Sequence, residues 1–156
     1  MESVDILSKW QIIADLQATN RWEAIDELIN HLVATGNIKL EHHQAISAAV
    51  KKRESLMSTG IGYGIALPEI TTDLIYEAVG ALGRSKKGVN FNAVDNQPVY
   101  LVLLFLVPQR LLQNYLDTLA NIARLLLQRP EFRQALVRAP DAEAMLQIIR
   151  SQGRKK

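Results

Sequence analysis

The residues able to do chemistry in this chain are few. There is no cysteine and there are three histidines, His31, His42 and His43. Without cysteine the chain has no disulfide, no thiolate metal site and no thiol nucleophile, a usage that suits a reducing cytoplasm. His42 and His43 stand beside Glu41. Consecutive side chains on a helix diverge by about 100°, so this pair does not converge on one ion. No metal and no cofactor are expected. Ser58 and Thr59 have no histidine base within local reach, so neither is an activated nucleophile. What remains is the stretch S-T-G-I-G-Y-G-I-A-L-P-E-I at residues 58–70. In it Gly60, Gly62 and Gly64 alternate, Ile65-Ala66-Leu67 is a short apolar run, and Pro68 leads to a lone carboxylate, Glu69.

This stretch is not a nucleotide site. A dinucleotide fingerprint is spaced G-x-G-x-x-G and lies between a strand and a following helix. Here the expected order is helix, glycines, strand, so no helix N-terminus faces a phosphate. Residues 83–88 are no P-loop either, because Val89 stands where lysine is required. Alternating glycines do allow positive φ and the close approach of another surface. The loop is therefore either a tight turn or a docking element.

The elements that must position this stretch follow from apolar spacing. Asn20 with Glu23 three residues on forms a capping-box pattern. Behind it Trp22, Ile25, Leu28, Ile29 and Leu32 recur at helical spacing, and Gly36 ends that helix. A second helix is predicted over 40–53 with Ala45, Ile46, Ala49 and Val50 inward. Strands are predicted at 63–67 and 75–82, a short one near Trp10-Gln11-Ile12-Ile13, and turns at 84–90 and 93–98. Val99 to Val107 is apolar throughout, the pattern of a central strand covered by helices on both faces. The spacing of Leu112, Tyr115, Leu116, Leu119, Ile122, Ala123 and Leu126 predicts a long helix over 112–128. Pro130 and Pro140-Asp141 open two more. The fold class is α/β: one domain with a small mixed β-sheet sandwiched between helices.

Composition narrows the function classes. The 156 residues suit a single domain, and 48% hydrophobic with 22% charged residues is ordinary for a globular protein. A net charge of +2 is too small to argue for nucleic acid. Lys51-Lys52-Arg53, Arg84 to Lys87 and the tail at 154–156 read as solvated clusters. The longest apolar run, residues 99–107, is far short of the roughly 20 residues of a membrane span. The N-terminus carries acids and no apolar stretch of the kind found in signal peptides.

Residues 54–68, E-S-L-M-S-T-G-I-G-Y-G-I-A-L-P, resemble the active-site signature of the type-2 enzyme IIA family of the bacterial phosphotransferase system. This is the mannitol, fructose and nitrogen-regulatory class. The signature opens on an acidic or amide residue, here Glu54. Ile61-Gly62 follows after six residues, and Ile65-Ala66-Leu67-Pro68 after two more. Arg53-Glu54 matches the Arg-Glu that family members carry ahead of Ser-Thr-Gly-Ile-Gly. Val79-Gly80, Phe91-x-Ala93-x-Asp95-Asn96-Gln97-Pro98-Val99 and the closing Val107-Pro108 extend the likeness over about residues 5–150.

The resemblance implies a three-layer α/β/α fold like that of mannitol enzyme IIA, as one domain over 1–156 with a basic tail at 150–156. In that family the residue after the proline is a histidine that takes a phosphoryl group from a histidine phosphocarrier protein and passes it on. Here that residue is Glu69. The next position is usually small, and here it is Ile70. A second histidine normally opens the long helix in a His-Leu context, where this chain reads Tyr115-Leu116. Departures at several site positions together look like divergence rather than a single phosphomimic.

The resemblance then implies a degenerate, regulatory and partner-binding form that transfers nothing and is not an enzyme. Arg53 is the implied counter-charge to Glu69. Tyr115 either reaches Glu69 through its hydroxyl or simply faces the core. Gly60, Gly62, Tyr63, Gly64, Pro68 and Ile70, with the start of the long helix, form the implied partner face. The implied partners are a histidine phosphocarrier or a regulated kinase, transporter or metabolic enzyme, met in the cytoplasm, with no nucleic acid and no membrane insertion. A homodimer is compatible with the sequence. Two alternatives stay open. One is an active carrier with an acyl phosphate on Glu69. The other is a purely structural or nucleic-acid-binding domain.

Overall fold

The computed structural model describes residues 11–154. Val99–Val107 forms β6, the strand around which the rest is arranged, and only Tyr100 within it is part-exposed. β5 (Val79–Val89) lies antiparallel beside it, and β1 (Ile12–Ile13) adds parallel to β5. On its other side β6 carries two short parallel strands in succession. β3 (Ile65–Ala66) pairs with Leu101 and Val102, and β4 (Glu69–Thr71) pairs with Phe105, Leu106 and Val107. β2 (Gly60–Gly62) folds back on β3 as an antiparallel hairpin. The sheet is mixed, in the order β1-β5-β6-β3-β2, with β4 also on β6.

The alternation of β6 decides the layers. Val102, Leu104 and Leu106 point into one core with Ile25, Leu28, Ile29 and Leu32 of α1 (Arg21–Ala34) and Ile46 and Val50 of α2 (His43–Leu56). Leu101, Leu103, Phe105 and Val107 point into the other. That second core takes Leu126 of α3 (Leu112–Gln128), Phe132 and Leu136 of α4 (Pro130–Arg138), and Met145 and Ile149 of α5 (Ala142–Arg154). A strand apolar on both faces thus requires helices on both faces, and the protein is a three-layer α/β/α domain.

Helix ends behave as their residues dictate. Asn20 Oδ1 accepts the Glu23 N–H at 3.0 Å. The Glu23 carboxylate reaches back to the N–H of Thr19, at 3.2 Å, one residue before the cap. Gly36 sits at φ 79° and ends α1 in the left-handed conformation. Pro130 occupies the first turn of α4, and Asp141 Oδ1 accepts the Ala144 N–H at 2.8 Å ahead of α5.

Several expectations are corrected. Gly60 to Gly62 are themselves strand, Tyr63 and Gly64 form a turn, the strand expected at 63–67 shrinks to β3, and β4, which was not expected, follows after an interruption at Leu67-Pro68. Proline has no N–H to give to a ladder, which explains the interruption. The strand expected at 75–82 starts at Val79 and runs on to Val89, through residues read as a polar turn. Arg84 was expected in a solvated cluster but is 1% exposed. Its Nε donates to Ala14 O at 2.7 Å, and its Nη1 donates to the carbonyls of Leu136, Val137 and Ala139. A guanidinium can be buried there because it caps the C-terminal carbonyls of α4. Ala45 and Ala49 are exposed, whereas Ser47 and Glu54 are buried. α2 turns a partly polar stripe inward because Ser47 meets Asp26 of α1. Trp10 and the end of the basic tail lie outside the described residues.

Candidate functional site

Glu69 opens β4, and its neighbours set its direction. Pro68 O accepts the Phe105 N–H at 3.0 Å, and Glu69 pairs in register with Phe105. Along a strand side chains alternate. Ile70 accordingly packs toward the α1–α2 core while Glu69 and Thr71 are exposed. Glu69 borders a cleft of about 580 Å³ between α2, β4 and α3. Its walls are Ala49, Leu56, Ile70, Val107, Leu112, Leu116 and Leu119, and its charged groups are Lys52, Arg53 and Glu69. Leu116 is 44% exposed, so the cleft offers an apolar lip to solvent.

Arg53 shares the cleft with Glu69, but Arg53 Nη1 donates to Met57 O at 2.9 Å, tying it to the end of its own helix. Among the described residues the ion pairs are Arg21–Glu54 and Lys51–Asp26, and Arg53 forms none with Glu69. Tyr115 turns away from the cleft. It is buried in the core under α3, α4 and α5. None of the three histidines lines the cleft. His31 is on α1, His42 precedes α2, and the ring of His43 pairs with Asn30 Oδ1 at 2.5 Å.

The segment leading to Glu69 is held by a buried carboxylate. Glu54 is fully buried. Its Oε1 accepts the Thr59 hydroxyl at 2.6 Å and its Oε2 accepts the Thr59 N–H at 3.0 Å. Arg21 Nη1 stands 3.4 Å away as its counter-ion, stacked on the Trp22 ring at 4.4 Å. Gly60 is required by close approach, since a Cβ there would lie 2.8 Å from that of Ala93. Leu67 N–H donates to Thr59 O at 3.0 Å, which carries this anchorage on to Pro68 and Glu69.

A match to the family described as the phosphoenolpyruvate-dependent sugar phosphotransferase system, EIIA 2, runs over residues 5–152. The chain belongs to this EIIA 2 family. It is 34% identical over 149 residues to the PTS system fructose-specific EIIABC component of Bacillus subtilis, covering 96% of the chain and 23% of that protein. The chain thus spans about a quarter of that relative. It is 28% identical over 149 residues to a nitrogen regulatory protein of Bradyrhizobium diazoefficiens, covering 96% of the chain and 95% of the relative. Among solved structures, nitrogen regulatory protein IIA-Ntr from Neisseria meningitidis superposes with a TM-score of 0.83 at 27% identity, covering 94% of this chain and 97% of that one. Mannitol IIA from Escherichia coli, at 21% identity and a TM-score of 0.72 over 92% of this chain and 98% of that one, shares the fold. The mannitol-like architecture and the nitrogen-regulatory likeness both hold.

Not all of the implied partner face of this EIIA 2 domain comes together. Ile70 lines the cleft and Pro68 is buried just before it. Gly62, Tyr63 and Gly64 form the hairpin tip at the opposite end of β3. The tip meets α4 through Arg133, which in turn reaches the C-terminal carbonyls of α3. Arg133 Cζ lies 5.1 Å from the Tyr63 ring centroid, and Arg133 Nη1 donates to Leu126 O and Leu127 O. Sequence reasoning put the start of the long helix, where Leu112 lies, on the partner face but did not name Lys52 or Leu119 as lining the cleft. Their signal was present, because Lys52 and Leu56 lie one turn apart on α2, as do Leu112, Leu116 and Leu119 on α3.

Proposed function

We propose that this nitrogen-regulatory-like EIIA 2 domain is a regulatory protein that binds partners through the Glu69 cleft and transfers no phosphoryl group. Glu69 is read as standing at the position of the family's phosphohistidine, and Tyr115 at that of its second histidine. One observation carries the reading: the cleft holds an exposed carboxylate between apolar walls and two cations, with all three histidines elsewhere. A phosphoryl relay of this family type needs a neutral imidazole as nucleophile. A carboxylate supplies about −1 charge where a phosphoryl group supplies roughly −1.5 to −2, so Glu69 gives the surface a permanent part of the phosphorylated form's charge. Lys52 and Arg53 are the groups that a partner's own acid would meet beside it.

Phosphotransfer decides the matter. The protein is mixed with enzyme I, a histidine phosphocarrier and radiolabelled phosphoenolpyruvate. The expected result is no label on the chain. A hydroxylamine-labile label that disappears in Glu69→Gln would overturn it. That label would be an acyl phosphate, formed as the carrier's P–N bond breaks and a P–O bond to Glu69 forms.

A further inference from the structure

The hairpin tip breaks a local rule. Gly62, Tyr63 and Gly64 have φ of 96°, 58° and 77°. Tyr63 and Gly64 are the two residues between the paired Gly62 and Ile65, and a two-residue hairpin with positive φ at both is the arrangement that favours Asn-Gly. A bulky residue there is an outlier. Tyr63 gains no core packing in return. It is 68% exposed, and its ring contact is the Arg133 guanidinium. Val94, 74% exposed, stands beside the neighbouring Gly62, its Cγ2 3.9 Å from where a Gly62 Cβ would be. A strained, exposed aromatic outside the core marks a functional surface.

A bulge enlarges this tip. Residues 85–88 oppose Tyr100 alone, between the pairs Arg84–Leu101 and Val89–Val99. A Cβ on Gly88 would lie 3.3 Å from the Tyr100 ring, and one on Gly64 would lie 3.2 Å from the same ring. Hairpin and bulge therefore flank one tyrosine. Lys86 and Lys87 are exposed on the bulge, Arg133 stacks on the hairpin, and Arg129 is exposed one helical turn from Arg133. The nearby carboxylates are Asp95 and Glu131. Asp95 is engaged by the N–H groups of Tyr63 and Gln97, and Glu131 is exposed at the start of α4.

We propose that this tip is a second docking surface, for an acidic segment of a protein partner that carries apolar side chains. Four cations, Lys86, Lys87, Arg129 and Arg133, outnumber the two carboxylates Asp95 and Glu131, and Tyr63 with Val94 supplies the apolar contact. A second copy of the chain is disfavoured, because a two-fold axis would set like charges against each other. The register separates the tip from Glu69. Ile65 pairs with Leu101 and Glu69 with Phe105, so the two surfaces lie at least about 13 Å apart along the sheet. The proposal stands whether or not Glu69 accepts a phosphoryl group.

The test is an NMR titration of the ¹⁵N-labelled full chain with a peptide of alternating glutamate and leucine around a central phenylalanine. Amide shifts are expected at 61–65, 86–88 and 94. Tyr63→Asn is expected to weaken binding about tenfold, as for a hot-spot aromatic, without lowering Tm, because asparagine suits the turn. The double variant Lys86→Glu, Lys87→Glu is expected to abolish binding, the glutamine form of the peptide not to bind, and Glu69→Gln to bind unchanged. Shifts confined to the Glu69 cleft, no binding at all, or full affinity in Tyr63→Asn would overturn the proposal. Tighter binding of a single-stranded oligonucleotide of equal charge, or self-association lost in Tyr63→Asn, would also overturn it.

Discussion

Both oxygens of the Glu54 carboxylate are committed to Thr59, one to its hydroxyl and one to its N–H, across the break between α2 and β2. This pair fixes where the chain leaves the helix and enters the sheet edge that carries Glu69. Glu54→Ala removes two acceptors and strands the Arg21 guanidinium. A loss of about 3 kcal/mol is expected, the scale of breaking a buried, hydrogen-bonded charge. Urea unfolding checks it, and a loss below about 0.5 kcal/mol would show that the pair is not an anchor.

Arg84 should be equally unforgiving. Three carbonyls near the end of α4 and one from Ala14 depend on its guanidinium. Arg84→Leu fits an apolar site but leaves those carbonyls buried and unpaired, for an expected loss of about 3 kcal/mol or more. Arg84→Lys should recover only part, since one ammonium cannot serve both the α4 carbonyls bonded to Nη1 and the Ala14 carbonyl bonded to Nε. Equal stability of the lysine variant by thermal unfolding would contradict this.

The α1–α2 contact carries a pH signature. Partial burial pushes the Asp26 carboxyl up, but Lys51 Nζ at 2.7 Å and Ser47 Oγ at 2.9 Å pull it down further, leaving it below the usual 3.8. A carboxyl lowered in the folded state adds stability that is complete above the unfolded value and lost as pH falls through the folded one. The contribution should therefore be intact at neutral pH and fade below about pH 4. Both partners are more than a third exposed, so it should amount to less than about 1 kcal/mol. Asp26→Asn should flatten that part of the acid-unfolding curve, and an unchanged acid limb would refute the assignment.

Restoring the imidazole alone should not restore a carrier. Glu69→His places a histidine in a cleft whose α3 wall is leucine and whose Arg53 is tied to Met57. In-line phosphoryl transfer depends on positioning at the ångström scale. Labelling of that variant by a phosphocarrier is expected to stay slow and substoichiometric. Fast, full labelling would show the scaffold still competent.

Periodicity made the layers legible. The doubly apolar 99–107 run, the 112–128 stripe and the Asn20 cap each follow from local spacing. Arg84 was not legible, because the partners that bury it lie 52 to 55 residues away on α4. The bulge after it was hidden for the same reason, since a polar strand segment and a turn read alike until the partner strand is known. In the site, Glu69 stood out as a lone carboxylate after a proline. Its relation to Leu112, Leu116 and Leu119 needed the third dimension. Residues 62–70 look like one loop in the sequence, yet Tyr63 meets Arg133 of α4 whereas Glu69 and Ile70 line the cleft with Leu112, Leu116 and Leu119 of α3.

The interruption at Leu67-Pro68 also sets how the site breathes. β4 has three residues and pairs with β6 alone, whereas β6 is clamped on both sides. Segments tied by few hydrogen bonds open locally at far lower cost than the core strands. Glu69 to Thr71 can therefore peel from the edge and re-form while the cooperative unit of β5 and β6 stays shut. The affinity of the cleft for whatever enters it is then tuned by a sub-global equilibrium set by the short β4 ladder and by how Ile70 packs against the α1–α2 core.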